Sequence, residues 1–260
     1  MTNGNKAPTI KMIVTDLDGT LLREDKSISA YTKDVISKCR TAGIKLAFAT
    51  GRGTAFKVAP KELFDGRVTN NGAIARVGEA IIHDKRIPFQ TARPILTACN
   101  ERGIKIVSHT VGMHYSNFPV TDLWPWITEF QIVDFAKHDV DAEKLFTPDC
   151  SIESKKFIEH LIPSELYTVV TSDITGDLLQ IMHKEATKGK AVLALGRHWN
   201  IQPSEIATFG NDLNDIDMLS SVGFGVAMEN ALDEVKAAAK YVCHSNEEDG
   251  VAKWISENVL

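Results

Sequence analysis

The chain of 260 residues is 43% hydrophobic and 24% charged, with a net charge of −5. That is long enough for one large or two modest domains with a sizeable core, and it excludes a collagen, a coiled coil or a wholly disordered chain. No basic stretch offers an electrostatic footprint for nucleic acid, and no apolar run approaches the ~20 residues that span a bilayer.

In chain order, the leader Met1–Pro8 is short and polar, without the apolar stretch of a secretory signal, so a cytoplasmic location is expected. Thr9–Thr15 reads as a buried parallel strand. Ser29–Ala42 carries Tyr31, Val35, Ile36 and Cys39 at helical spacing, and Gly43 ends the helix. A strand is expected at Ile44–Ala49, then a helix over Thr54–Leu63 in which Pro60 argues for a kink or early end. Arg67–Thr69 is a short strand leading into the turn Asn70-Asn71-Gly72.

The stretch from about His83 to Glu185 has a different texture. It opens hairpin-like, continues with a helix at Phe89–Arg102, and offers strands at Ile104–Ser108, Leu166–Thr171 and Asp177–Met182 with a helix at Ser154–Leu161. It holds 10 basic against 15 acidic residues, whereas the flanks balance at 19 each. The tail resumes alternation: helix Thr187–Trp199 with Thr187 as N-cap, strand Ile206–Phe209, helix Asp215–Ser221, strand Phe224–Ala227, helix Ala231–Ala239, strand Tyr241-Val242 and helix Gly250–Val259. The expected fold class is α/β. A doubly wound, Rossmann-like parallel-sheet core (residues 1–82 and 186–260) is interrupted by a smaller inserted α/β domain (83–185). Cys39, Cys99, Cys150 and Cys243 are scattered without a Cys-x-x-Cys pair, so reduced thiols are expected rather than a zinc or disulfide framework.

Chemistry gathers at strand and helix ends. Asp16-Leu17-Asp18-Gly19-Thr20 follows the first strand, with both carboxylates expected on one side of the chain and Gly19 permitting a sharp turn. Open α/β sheets place ligands at this end of their strands. Thr50-Gly51-Arg52 follows the next strand, where a hydroxyl and a backbone N–H suit a phosphoryl oxygen. Lys188 begins a helix although the dipole opposes a cation there, a conflict that vanishes when both face an anion. Gly210-Asn211-Asp212-Leu213-Asn214-Asp215 gathers oxygen donors suited to Mg²⁺ after another strand. Each of the last three has a plain alternative as a turn, a solvated lysine or an N-cap cluster.

Together and in this order, the motifs resemble those of the haloacid dehalogenase-like phosphatases of the Cof type. The stretches Thr69–Ala73, Gly225–Ala231 and Asn246–Val251 also look like that group. The resemblance covers the core densely and the middle only by position and size. It implies Asp16 as nucleophile, Asp18 as general acid and then base, and Thr50 and Lys188 as ligands of the transferring phosphoryl group. It also implies Mg²⁺ on Asp16, the backbone carbonyl of Asp18 and Asn211, with Asp215 close by. Many members carry Asp where this chain has Asn211. Gly51, Arg52, Asn71 and Gly72 are expected to face substrate, and His109, His114 and His183 are secondary specificity candidates. The expected activity is Mg²⁺-dependent hydrolysis of small phosphate monoesters, sugar phosphates or phosphorylated cofactors, through an aspartyl phosphate. A phosphomutase and a non-catalytic phospho-ligand-binding protein are the alternatives. A signalling receiver domain would be about half as long. No nucleic-acid or membrane partner is expected.

Overall fold

The computed structural model describes residues 9–53, 60–110, 112–173 and 176–260. The chain divides into two compact units, one of residues Met1–His83 and Thr187–Leu260, the other of Asp84–Ala186. Among the described residues no helix is long and apolar enough to cross a membrane. All four cysteines are free thiols, Cys39, Cys99 and Cys243 among them buried.

The first unit contains β1 (Met12–Thr15), α1 (Ala30–Thr41), β2 (Lys45–Ala49), β3 (Gly66–Thr69), β4 (Ile74–Val77) and β5 (Ala80–Asp84), the last ending at the boundary. The second contains α2 (Phe89–Glu101), β6 (Val107–Thr110), β7 (Met113–Ser116), β8 (Phe130–Ile132), β9 (Lys144–Thr147), α3 (Ile152–Leu161), β10 (Leu166–Asp173) and β11 (Gly176–His183). The first unit then resumes with α4 (Lys188–His198), β12 (Ile206–Gly210), α5 (Ile216–Ser220), β13 (Phe224–Met228), α6 (Asp233–Ala238), β14 (Tyr241–Cys243) and α7 (Gly250–Asn258).

The eight strands of the first unit lie in the order β14-β13-β12-β1-β2-β3-β4-β5. From β14 to β3 every pairing is parallel, and β4 turns back antiparallel on β3. Side chains alternate between two cores, as a strand covered on both faces requires. Ile13 of β1 joins Val35, Ile36 and Cys39 of α1, Val235 of α6 and Val251 and Ile255 of α7. Met12 and Val14 point the other way, onto Ala191, Val192 and Leu195 of α4 and Met218 of α5. The strand order reverses between β1 and its two neighbours, β12 and β2. This is the topological switch point where open sheets hold ligands.

The second unit is a six-stranded sheet, β10-β11-β9-β6-β7-β8, antiparallel except for β7 beside β8. One face packs Leu145, Leu179 and Ile181 against Ala92, Ile95 and Leu96 of α2 and Ile158 of α3. The other packs Val107 and Phe146 against Phe118, Val120 and Trp124.

Several expectations need correction. The sheet of the first unit is not wholly parallel, because the turn Asn70–Gly72 reverses the chain and lays β4 antiparallel on β3, and the two-residue turn Gly78-Glu79 brings β5 in beside it. The strand expected at Ile104–Ser108 is Val107–Thr110. The Ile106 N–H bonds the Asn117 side chain at 3.0 Å, so its donor is satisfied outside the ladder. Of the helix expected over Thr54–Leu63, Thr54–Ala59 lie outside the described residues and Lys61–Leu63 form a single 3₁₀ turn.

Candidate active site

β1 delivers Asp16. The strand is fully buried, and its ladder extends one step further through Asp16 N–H to Phe209 O at 2.9 Å, so the carboxylate leaves the sheet at its carboxyl end. There Asp16 Oδ1 lies 2.8 Å from Lys188 Nζ, and Asp215 Oδ1 lies 2.7 Å from the same nitrogen. Asn214 Oδ1 accepts a third, longer bond from that ammonium, at 3.3 Å. Asp16, Lys188 and Asp215 are 6%, 1% and 0% exposed, so this cluster is a dry one. Burial pushes the Asp16 carboxyl up to about 7, with Asp215 adding to it and Lys188 opposing it. Burial alone would discharge Lys188, but the attraction of both carboxylates holds it firmly as an ammonium, raised above its ordinary range.

Local structure explains each placement. Thr187 caps α4 by accepting from Lys190 N–H at 3.3 Å, which fixes Lys188 as the first helical residue. Gly189 N–H bonds Asp217 Oδ2 at 3.0 Å, tying the same turn to α5. Gly210 ends β12 where a Cβ would stand 2.5 Å from the Asp215 side chain, so only glycine lets that carboxylate in. Asp215 Oδ2 accepts from Asn211 N–H at 2.9 Å and Asp212 N–H at 3.1 Å, while Oδ1 faces Lys188. Asn211 accepts from the Thr20 hydroxyl at 2.8 Å through Oδ1, and its amide packs on Gly19.

Asp18 faces different partners. Its carboxylate takes a bidentate pair from Arg52, with Nε and Nη2 each at 2.6 Å, and a third bond from Lys26 Nζ at 3.0 Å. Partial burial works against the charge. The hydrogen bonds from Arg52 and Lys26 outweigh it, and the carboxyl sits below its ordinary range. Thr50 is buried, its hydroxyl accepting from Arg52 N–H at 3.2 Å and its carbonyl from Asn71 N–H at 3.0 Å. Asn71 has φ of 54° and accepts from Asn214 Nδ2 at 3.0 Å, beside Gly51. Gly72 is packed closely against the backbone of Thr187. His109 and His114 lie against each other in the second unit as tilted rings, with centroids 4.6 Å apart, and His183 Nδ1 accepts from Glu185 N–H at 3.0 Å.

The oxygen set fits Mg²⁺. Asp16 and Asp215 are two buried carboxylates sharing one ammonium, so the cluster retains a formal negative charge that a second cation would offset. The amide oxygen of Asn211 and the carbonyl of Asp18 add hard, neutral donors of the kind Mg²⁺ prefers. Sequence reasoning passed over Lys26, whose reach to Asp18 depends on a turn with φ of 64° at Lys26 itself. It also left out Asn214 as a partner of Lys188. That residue's place inside the oxygen-rich motif was the available signal.

The family model for haloacid dehalogenase-like hydrolases matches residues 13–255. A protein of Haemophilus influenzae that carries the name of a phosphatase is 30% identical over 95% of this chain and 97% of its own. A 5-amino-6-(5-phospho-D-ribitylamino)uracil phosphatase of Bacillus subtilis is 26% identical over 95% of this chain and 98% of its own. Among solved structures, a subclass IIB sugar phosphatase of the same superfamily superposes with a TM-score of 0.75 at 26% identity, covering 95% of this chain and 98% of that one. A protein from Thermotoga maritima superposes with a TM-score of 0.82 at 26% identity, covering 96% and 97%. The chain belongs to the haloacid dehalogenase-like hydrolases, within their Cof-type phosphatase branch, and is a phosphoric monoester hydrolase.

Proposed function

We propose that the protein is a Mg²⁺-dependent phosphatase of small phosphate monoesters that works through an aspartyl phosphate on Asp16. The observation that carries this reading is the buried Asp16–Lys188–Asp215 cluster at the switch point of the sheet. Asp16 Oδ would attack phosphorus, the ester P–O bond would break, and the leaving oxygen would take a proton from Asp18. Water would then attack the aspartyl phosphate, giving its proton to Asp18 and restoring the Asp16 carboxylate. Splitting one hard displacement into two is the gain of such covalent catalysis. Lys188 opposes the repulsion between the Asp16 carboxylate and a phosphate dianion, and the Thr50 hydroxyl and Gly51 N–H would hold phosphoryl oxygens. Asp16, the Asp18 carbonyl, Asn211 and Asp215 would hold Mg²⁺, which when bound neutralises charge on the phosphoryl oxygens. Arg52 and Lys26 hold Asp18 below its ordinary range, as the carboxylate that the second step needs to accept a proton from water; to give a proton in the first step Asp18 must meet substrate in its protonated form, with Arg52 drawn from it toward the phosphate.

Two relatives carry the names of a sugar phosphatase and a 5-amino-6-(5-phospho-D-ribitylamino)uracil phosphatase, which supports sugar phosphates and phosphorylated cofactors as the first compounds to screen. The test is phosphate release from p-nitrophenyl phosphate with Mg²⁺, then from a panel of phosphorylated metabolites. Asp16→Asn is expected to abolish turnover by at least about 10³-fold, because an amide does not attack phosphorus. Full steady-state activity in that variant would remove the covalent intermediate from consideration.

A further inference from the structure

The loop that carries Asp18 is held by residues for which the proposed chemistry has no use. Residues 17–22 fold back on themselves. Leu22 N–H reaches Leu17 O at 2.8 Å, Asp18 forms a bridge with Leu22, and Gly19 turns the chain with φ of 71°. Two carbonyls of this loop, at Gly19 and Leu22, are bound from the far end of the sequence. Asn230 Nδ2 donates to Gly19 O at 2.8 Å, and Asn246 Nδ2 donates to Leu22 O at 2.9 Å. The two asparagines are themselves joined, Asn246 N–H donating to Asn230 Oδ1 at 3.3 Å. A continuous relay therefore runs from one side of the loop to the other through the Asn230 side chain and through the backbone N–H and side-chain amide of Asn246. The segment behind it grips the next residues: Glu247 Oε1 accepts from Glu24 N–H at 2.7 Å, and Asp249 pairs with Arg23 at 2.9 Å while accepting from the Thr32 hydroxyl at 3.1 Å.

We propose that Asn230 and Asn246 are positioning residues of the reaction, fixing the Gly19–Leu22 loop so that the Asp18 carboxyl stays aimed at the leaving-group oxygen. The inference rests on the reading of Asp18 as the acid and base. The Gly19 carbonyl fixes the Gly19–Thr20 peptide, one residue beyond Asp18, and the Leu22 carbonyl lies on the residue bridged to Asp18. A glycine at a positive φ has few conformational constraints of its own, so the orientation of its peptide must come from outside the loop. Asparagine suits the task because one side chain both donates and accepts, letting Asn230 hold Gly19 while being held by Asn246. Asn246 is 5% exposed, so its amide is not shared with bulk water. A displacement of about 1 Å in a reacting group can cost on the order of 10²-fold in rate.

The experiment compares single-turnover release of an alcohol from an alkyl phosphate with release of nitrophenolate from p-nitrophenyl phosphate. Only the alkoxide needs the proton of Asp18. Asn246→Asp keeps size and shape but cannot donate to Leu22 O; Asn230→Asp does the same toward Gly19 O. Each is expected to lower the alkyl-to-aryl rate ratio by about tenfold or more, with the KM for either ester within about twofold of wild type. Asp18→Asn, measured alongside, should lower the same ratio, and adding Asn246→Asp to it should lower the ratio no further. A purely structural role would depress both rates alike and leave the ratio unmoved, which overturns the inference. If Asp18→Asn lowers the ratio and the asparagine variants do not, the positioning role alone fails. If Asp18→Asn leaves it unchanged, the role of Asp18 fails, and the inference with it.

Discussion

At the scale of single residues, Lys188 bears most of the electrostatic demand of the site. Its ammonium is shared by two buried carboxylates, and it begins a helix whose dipole disfavours a cation. Lys188→Met should therefore do two things. Turnover should fall by at least about 10³-fold, and stability should drop by about 3–5 kcal/mol, because removing one partner leaves the other charges buried and uncompensated. Urea denaturation and p-nitrophenyl phosphate assays on the same preparation check both; unchanged stability would mean that Asp16 and Asp215 do not depend on the ammonium. Asn211 lends itself to a finer test. Its amide oxygen accepts from Thr20, a bond that an aspartate oxygen can also accept, so Asn211→Asp should fold normally. One further charge about 4 Å from a cation is worth on the order of 4 kcal/mol at an effective dielectric constant of ~20, before desolvation cancels much of it. Asn211→Asp should lower the Mg²⁺ concentration for half-maximal activity, and Asn211→Ala should raise it. An alanine variant that titrates like wild type would remove residue 211 from the metal ligands.

At the scale of elements, the site depends on turns pressed against helix ends. Gly72 has φ of 99°, and a Cβ there would stand 2.1 Å from the carbonyl oxygen of Thr187, the cap of α4. Gly72→Ala must displace the turn or the first residue of the helix, which is Lys188. The expected cost is about 3 kcal/mol or more, with loss of activity. Gly43→Ala is the control: φ is 80°, but nothing lies within 4 Å, so only the left-handed conformation is penalised, by roughly 1–2 kcal/mol. Equal losses in the two variants, measured by denaturant titration, would show that contact with Thr187 is not what counts. The same elements show what the sequence makes legible. Strands β1, β2 and β12 and helix α4 are readable because apolar runs and helical spacing are strong local signals, and the motifs sit at their ends. Strands β4, β5, β7, β8 and β9 are of similar length to β1 and β2 but lack a distinctive buried apolar run: β5 is largely exposed, and β7 and β8 read Met-His-Tyr-Ser and Phe-Gln-Ile. Asp16, Lys188 and Asp215 stand out as motif residues. The bond between Asn71 and Asn214, and that between Lys26 and Asp18, arise from register and turn geometry that no local pattern encodes.

At the scale of the whole molecule, the second unit is expected to lose stability in acid. The second unit buries histidines on its sheet. His109 is 3% exposed on β6, against the tilted ring of His114 and near Lys144, and His138 Nε2 lies 3.2 Å from Ser108 Oγ. Burial, with Lys144 and the second imidazole adding to it, holds His109 well below its ordinary range. Burial likewise lowers His114 and His138. In the unfolded chain these imidazoles return to their ordinary value of about 6.5. Below that pH the unfolded state binds protons that the folded state refuses, so stability falls as pH drops. Above it both states are neutral and the effect vanishes. The sign is thus loss of stability on acidification, beginning near pH 6.5 and continuing down to the folded-state value. For one fully buried imidazole the slope approaches about 1.4 kcal/mol per pH unit. The measurement is denaturant unfolding of the full chain between pH 7.5 and 5.0, followed by near-ultraviolet circular dichroism. Trp124 is buried in the second unit and reports its packing, and Trp199 and Trp254 belong to the first. The Trp124 signal is expected to shift to lower denaturant as pH falls, and His109→Gln should flatten the dependence by removing the most buried of the titrating rings. A Trp124 transition that does not move between pH 6.5 and 5.0 would show that His109 takes up its proton without unfolding the sheet.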